Sequence, residues 1–205
     1  YFAIKKASEP LHIQWNPATD EVEVVNYSAG THKGLTAKVQ VLNMDASVAW
    51  EKEATVDSNE DTTDKCIKLE FPENLSKVHF IKMTLTEDGK VVSDNFYHRS
   101  LEENNYQDLC QLAKVALQSA TTVDKNADGT WSAVSVIENK TSTPALMIRL
   151  NVVDGKDDQQ ILPVFYSDNY FSLLPGEKKE VRMSWRDEDT RGNEGKVLIT
   201  GYNVE

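Results

Sequence analysis

Cysteine is nearly absent: only Cys66 and Cys110 occur among 205 residues. Two are too few for a disulfide scaffold or a Cys-rich metal centre, and because they lie in different segments, independent thiols are expected rather than a bridge. Basic residues are also short, 22 against 33 acidic ones, for a formal net charge of −11 at pH 7. Both halves of the chain share that sign, which repels phosphate backbones and anionic headgroups and argues against nucleic acid or a basic membrane anchor as partner. No apolar run approaches the ~20 residues of a membrane-crossing helix; Ala145-Leu-Met-Ile148 is closed at once by Arg149. There is no Gly-rich phosphate loop, no His-Glu-x-x-His, no Gly-x-Ser-x-Gly and no Cys-x-x-Cys. The four histidines, His12, His32, His79 and His98, are scattered without ligand spacing and read as surface or packing residues. No cofactor is implied. The chain starts at Tyr1 with neither Met nor a charged-then-apolar leader, and reads as a mature or excised fragment.

What is present is alternation. Leu11, Ile13 and Trp15 alternate with polar residues, as do Val22 and Val24, then Leu35, Ala37, Val39 and Val41. The same period of two recurs at Ile81-Met83-Leu85, Val134-Val136, Leu146-Ile148-Leu150-Val152 and Val181-Met183-Trp185. Such strands bury one face and wet the other, the pattern of antiparallel sheets. Turn dipeptides separate them, among them Asn16-Pro17, Ala29-Gly30, Asp88-Gly89, Asp128-Gly129, Asp154-Gly155 and Pro175-Gly176. One stretch, Glu102 to Lys114, carries helical spacing and is expected to be a linker with about one helical turn. The expected fold is all-β, with two consecutive immunoglobulin-like antiparallel β-sandwich domains over residues 1–103 and 104–205. A single large barrel is the alternative.

Candidate sites are few. Asp124-Lys-Asn126-Ala-Asp128-Gly129 matches the first half of a calcium loop, in which alternate side-chain oxygens wrap the ion. The twelfth position is Ser135 rather than a bidentate Glu, and Trp131 to Ile137 alternates like a strand, so a hairpin turn is the competing reading of Asp124, Asn126 and Asp128. The carboxylate pairs fall in polar turns, without the apolar pocket that a general acid needs. Phe165, Tyr166, Tyr170 and Phe171 flank Asp168-Asn169. They read as core packing around a turn capped by Asn169, or as a loop presenting Asp168, Asn169 and Tyr170 to a sugar.

Glu9-Pro-Leu-His-Ile-Gln-Trp15, then Glu21-Val-Glu-Val-Val-Asn26, resembles the stretch that follows the catalytic barrel in family 2 glycoside hydrolases. Ile161-Leu-Pro-Val-Phe-Tyr-Ser-Asp-Asn-Tyr-Phe-Ser-Leu-Leu-Pro-Gly-Glu177 is similar to their last immunoglobulin-like domain, in the β-mannosidase, endo-β-mannosidase and exo-β-glucosaminidase branch. One departure is Asn95-Phe-Tyr97-His98, where the branch often has Trp in the last place. The resemblance implies a non-catalytic C-terminal accessory region. Its partners would be its own catalytic barrel and, through it, an oligosaccharide ending in β-linked mannose or glucosamine. Asp168, Asn169 and Tyr170 are then candidates for the active-site rim. Because retaining hydrolysis needs two carboxyls about 5–5.5 Å apart on a rigid scaffold, and the barrel that carries them is absent, the chain alone is expected to be inactive. The family suggests a periplasmic or secreted bacterial enzyme. A free-standing carbohydrate-binding or protein-interaction module is the alternative function.

Overall fold

The computed structural model describes residues 1–205, which divide into two compact units, Tyr1–Gln111 and Leu112–Glu205.

In the first unit a short helix, α1 (Phe2–Ala7), precedes seven strands: β1 (Leu11–Asn16), β2 (Glu21–Asn26), β3 (His32–Asn43), β4 (Val48–Ser58), β5 (Thr62–Lys68), β6 (Val78–Glu87) and β7 (Lys90–Ser100). They form two antiparallel sheets, β1-β2-β5 and β4-β3-β6-β7. Ile13, Val22, Val24 and Ile67 from the first sheet meet Leu35, Val39, Val41, Ile81, Met83 and Leu85 from the second in one apolar core. Asp88 and Gly89 both take positive φ (48° and 75°), the geometry that lets a two-residue turn follow the twist of β6 and β7.

The second unit repeats the plan with β8 (Gln118–Lys125), β9 (Thr130–Glu138), β10 (Ala145–Asp154), β11 (Phe165–Tyr166), β12 (Phe171–Leu173), β13 (Lys178–Arg186) and β14 (Gly195–Thr200). Its sheets are β11-β13-β9-β8 and β12-β10-β14. Ile137, Val181, Met183 and Trp185 close on Ile148, Leu150, Val152 and Phe171. Trp131 and Trp185 are cross-strand partners whose rings stack at 6.4 Å. The helical turn expected in the linker is a 3-10 helix, Gln107–Gln111.

Three expectations need correction. Helix α1 was not foreseen, because six residues with Lys5 and Lys6 at the end carry too little periodicity to register. In β9 the buried face is Ala133, Ser135 and Ile137, while Val136 is 38% exposed. The strand is read wrongly there because two small residues sit inward and two valines sit outward. In β10 the alternation is broken by a bulge at Met147, whose φ is +52°. Ala145 and Ile148 therefore both enter the core, and Leu146 leaves their face.

Candidate functional site

The loop between β11 and β12 carries the three sugar-rim candidates, and the structure gives each a different place. Asn169 is buried at 5% exposure. Its Oδ1 accepts the N–H of Leu150 at 2.8 Å and its Nδ2 donates to the Leu150 carbonyl at 2.9 Å, so one side chain satisfies both backbone groups of a residue in β10. Burial of such groups without partners would cost about 1–3 kcal/mol each, which makes Asn169 a brace. Asp168 pairs with Lys179, and its Oδ1 also accepts the Asn169 N–H at 2.8 Å. The Lys179 ammonium lies 4.9 Å from the centre of the Phe171 ring, caught between a carboxylate and a π-face. Tyr170 adopts φ +60° and is half-exposed, with the Arg149 guanidinium 6.0 Å from its ring. Phe165 is more exposed still, at 69%. The aromatic cluster thus splits: Phe171 is core, Tyr166 gives its hydroxyl oxygen to the Val152 N–H at 3.1 Å, and Phe165 and Tyr170 face outward.

The segment from Asp124 to Gly129 closes as the β8–β9 hairpin. Asp124 lies in β8 opposite Ser132. Asp128 Oδ1 accepts both the N–H and the hydroxyl of Thr130, at 3.0 and 2.6 Å. Asn126 donates Nδ2 to Thr130 Oγ1 at 2.9 Å, and Gly129 supplies φ +79°. These contacts hold the Asp128 carboxyl below its ordinary range, chiefly through the Thr130 hydroxyl. No group of three His, Cys, Asp or Glu side chains is placed to hold a metal ion.

One arrangement escaped the sequence reading because its carboxylate, Glu87, lies 55 residues from His32. Ser28 Oγ lies 2.8 Å from His32 Nε2, and His32 Nδ1 lies 2.7 Å from Glu87 Oε1. The order resembles a nucleophile, base and carboxylate relay. The Ser28 hydroxyl, however, donates to Asn26 Oδ1 at 2.6 Å, and the Gly30 N–H that could steady an oxyanion is taken by Glu60 Oε2 at 2.9 Å. The set ties the β2–β3 connection to the start of β3 and the end of β6, with its serine hydroxyl already committed. Cys66 is no better a nucleophile, since burial pushes its thiol up to about 11. Neither cysteine forms a disulfide. No helix is long and apolar enough to cross a membrane.

The family described as the exo-β-D-glucosaminidase Ig-fold domain matches residues 95–204, and the mannosidase Ig/CBM-like domain matches residues 20–100. An exo-β-D-glucosaminidase of Streptomyces avermitilis is 31% identical over the whole of this chain, which covers 25% of that protein. A mannosylglycoprotein endo-β-mannosidase of Lilium longiflorum is 23% identical, with 28% of its length covered. The crystal structure of the Amycolatopsis orientalis exo-chitosanase superposes with a TM-score of 0.92 at 28% identity, covering all of this chain and 27% of that one. The chain spans about a quarter of the length of the relatives it matches.

Proposed function

Because the chain belongs to the immunoglobulin-fold domains of the exo-β-D-glucosaminidases, within the family 2 glycoside hydrolases, we propose that it is the non-catalytic accessory region of a longer enzyme that removes terminal β-linked glucosamine. The observation that carries this reading is coverage: every residue aligns with glucosaminidases, yet only about a quarter of each is accounted for. The region packs against its own catalytic barrel, and the Asp168–Tyr170 loop reaches the rim of the active site, with half-exposed Tyr170 as its sugar-facing member. A terminal β-mannoside is the second substrate reading, favoured by the mannosidase-type match over residues 20–100. The bacterial enzyme works in the periplasm or outside the cell.

Two measurements test this. An immunoblot of source cells should show a band several times the 23.1 kDa of this chain; a band at that mass would favour a free-standing module. The purified chain should release no phenol from aryl β-glucosaminide or aryl β-mannoside, and measurable turnover would overturn the accessory role.

A further inference from the structure

Arg99, half-buried, is the sole arginine of the first unit, and its guanidinium makes no ion pair in a chain with 33 carboxylate side chains. Its carbon centre lies 3.8 Å from the centroid of Phe71 and 5.6 Å from that of Trp15. Trp15 in turn meets Tyr97 edge to face at 5.8 Å. Stacking of a guanidinium on a ring face engages its π-system and leaves its five N–H donors in its own plane. The Trp15 Nε1–H is buried and meets no acceptor. His79, directly across the strand pair from Arg99, is fully buried behind Phe71 and directs Nδ1 to the Ser76 carbonyl at 3.3 Å, so it forms the floor of the cluster. A guanidinium held on a ring face, with no carboxylate partner, presents a fork that binds a planar two-oxygen anion.

We propose that Arg99, walled by Phe71 and Trp15, is a binding site for an organic carboxylate. The two oxygens take the guanidinium fork and the carbon body lies against the rings. The aromatic walls select an anion with an apolar body over inorganic phosphate. Such a group could come from a small acid, including a sugar acid, or from an Asp or Glu side chain of another polypeptide. The net charge of −11 opposes any anion at long range, so binding is weak at low salt and is best read near ~0.15 M ionic strength, where the field is screened beyond ~8 Å.

The test uses the chain as it stands, with isotope labelling and NMR of the Arg99 Nε–H and Trp15 indole N–H signals. Sodium benzoate and sodium glucuronate form one arm, and a short glutamate-containing peptide the other; sodium chloride at matched ionic strength and benzamide are controls. The expected result is a saturable shift of both signals with at least one carboxylate arm and none with benzamide. Whichever arm binds more tightly identifies the source. Arg99→Gln should abolish the shift and Arg99→Lys should weaken binding about tenfold, because Lys keeps the charge but loses the fork. Shifts absent up to ~100 mM of every carboxylate, equal shifts with benzamide, or shifts unchanged in Arg99→Gln would overturn the site. The benzamide comparison needs no variant, so it stands even if Arg99→Gln fails to fold.

Discussion

At the scale of single residues, buried asparagines do much of the holding. Asn26 and Asn139, both fully buried, repeat one device in the two units. Each sends Nδ2 to a carbonyl four residues on and to a second strand, and each accepts at Oδ1 the N–H and hydroxyl two residues on. Asn169 and Asn203 do similar work for Leu150 and Leu146. Asn169→Ala would strand two backbone groups and is expected to cost about 2–4 kcal/mol. In a unit of this size that lowers Tm by roughly 10 °C or more, readable by calorimetry. Removing Asp168 breaks a partly exposed ion pair and the bond from the Asn169 N–H, and should cost about 1–2 kcal/mol. A second residue-scale expectation concerns Cys66, whose thiol burial raises to about 11. Because the unfolded thiol ionises first, its contribution is intact below its ordinary range and lost as pH climbs toward about 11. Urea unfolding at pH 8 and pH 10 should show a smaller loss for Cys66→Ala than for the native chain. From the sequence Asn169 reads as a turn cap or a rim residue; its partner in the fold is Leu150, 19 residues upstream, which local spacing does not reveal.

At the scale of elements, strand positions were largely legible and strand faces less so. Alternation located β1, β3, β6 and β13 with the faces that build the cores, although Leu42 in β3 and Val78 and Phe80 in β6 are buried on the opposite face. It failed at β9, where the sheet buries Ala133 and Ser135, and at β10, where an added residue inverts the pattern after Leu146. Met147 holds φ +52° with its side chain 46% exposed, so Met147→Gly relieves left-handed strain while losing little packing. It should raise stability by about 0.5–1 kcal/mol, whereas Met147→Val should lower it, both measurable by chemical unfolding. The calcium-like spacing at Asp124, Asn126 and Asp128 illustrates the same limit: the hairpin register of β8 and β9 carries Asp124 into the ladder. Calorimetric titration of calcium into the metal-free chain should give no heat.

At the scale of the whole molecule, two separate cores predict two folding units. Fragments 1–111 and 112–205 should each fold alone with its own cooperative transition, and limited proteolysis should cut between Ser100 and Val115, where strands give way to turns and one 3-10 helix. A fragment that stays unfolded by circular dichroism would show that its core is insufficient by itself. The net charge, spread over both units, should keep the chain soluble and unretarded on DNA or anionic vesicles at physiological salt.

The sequence by itself determined the β class and the place of most turns, because period-two burial and glycine or Asx turn chemistry act over a few residues at a time. Tertiary structure alone decided which side chains are spent internally and which face outward. Arg99 between Phe71 and Trp15, Ser28 beside His32 and Glu87, and Asn169 on Leu150 join residues far apart in the chain. Such contacts follow from register and sheet packing, which no local spacing encodes.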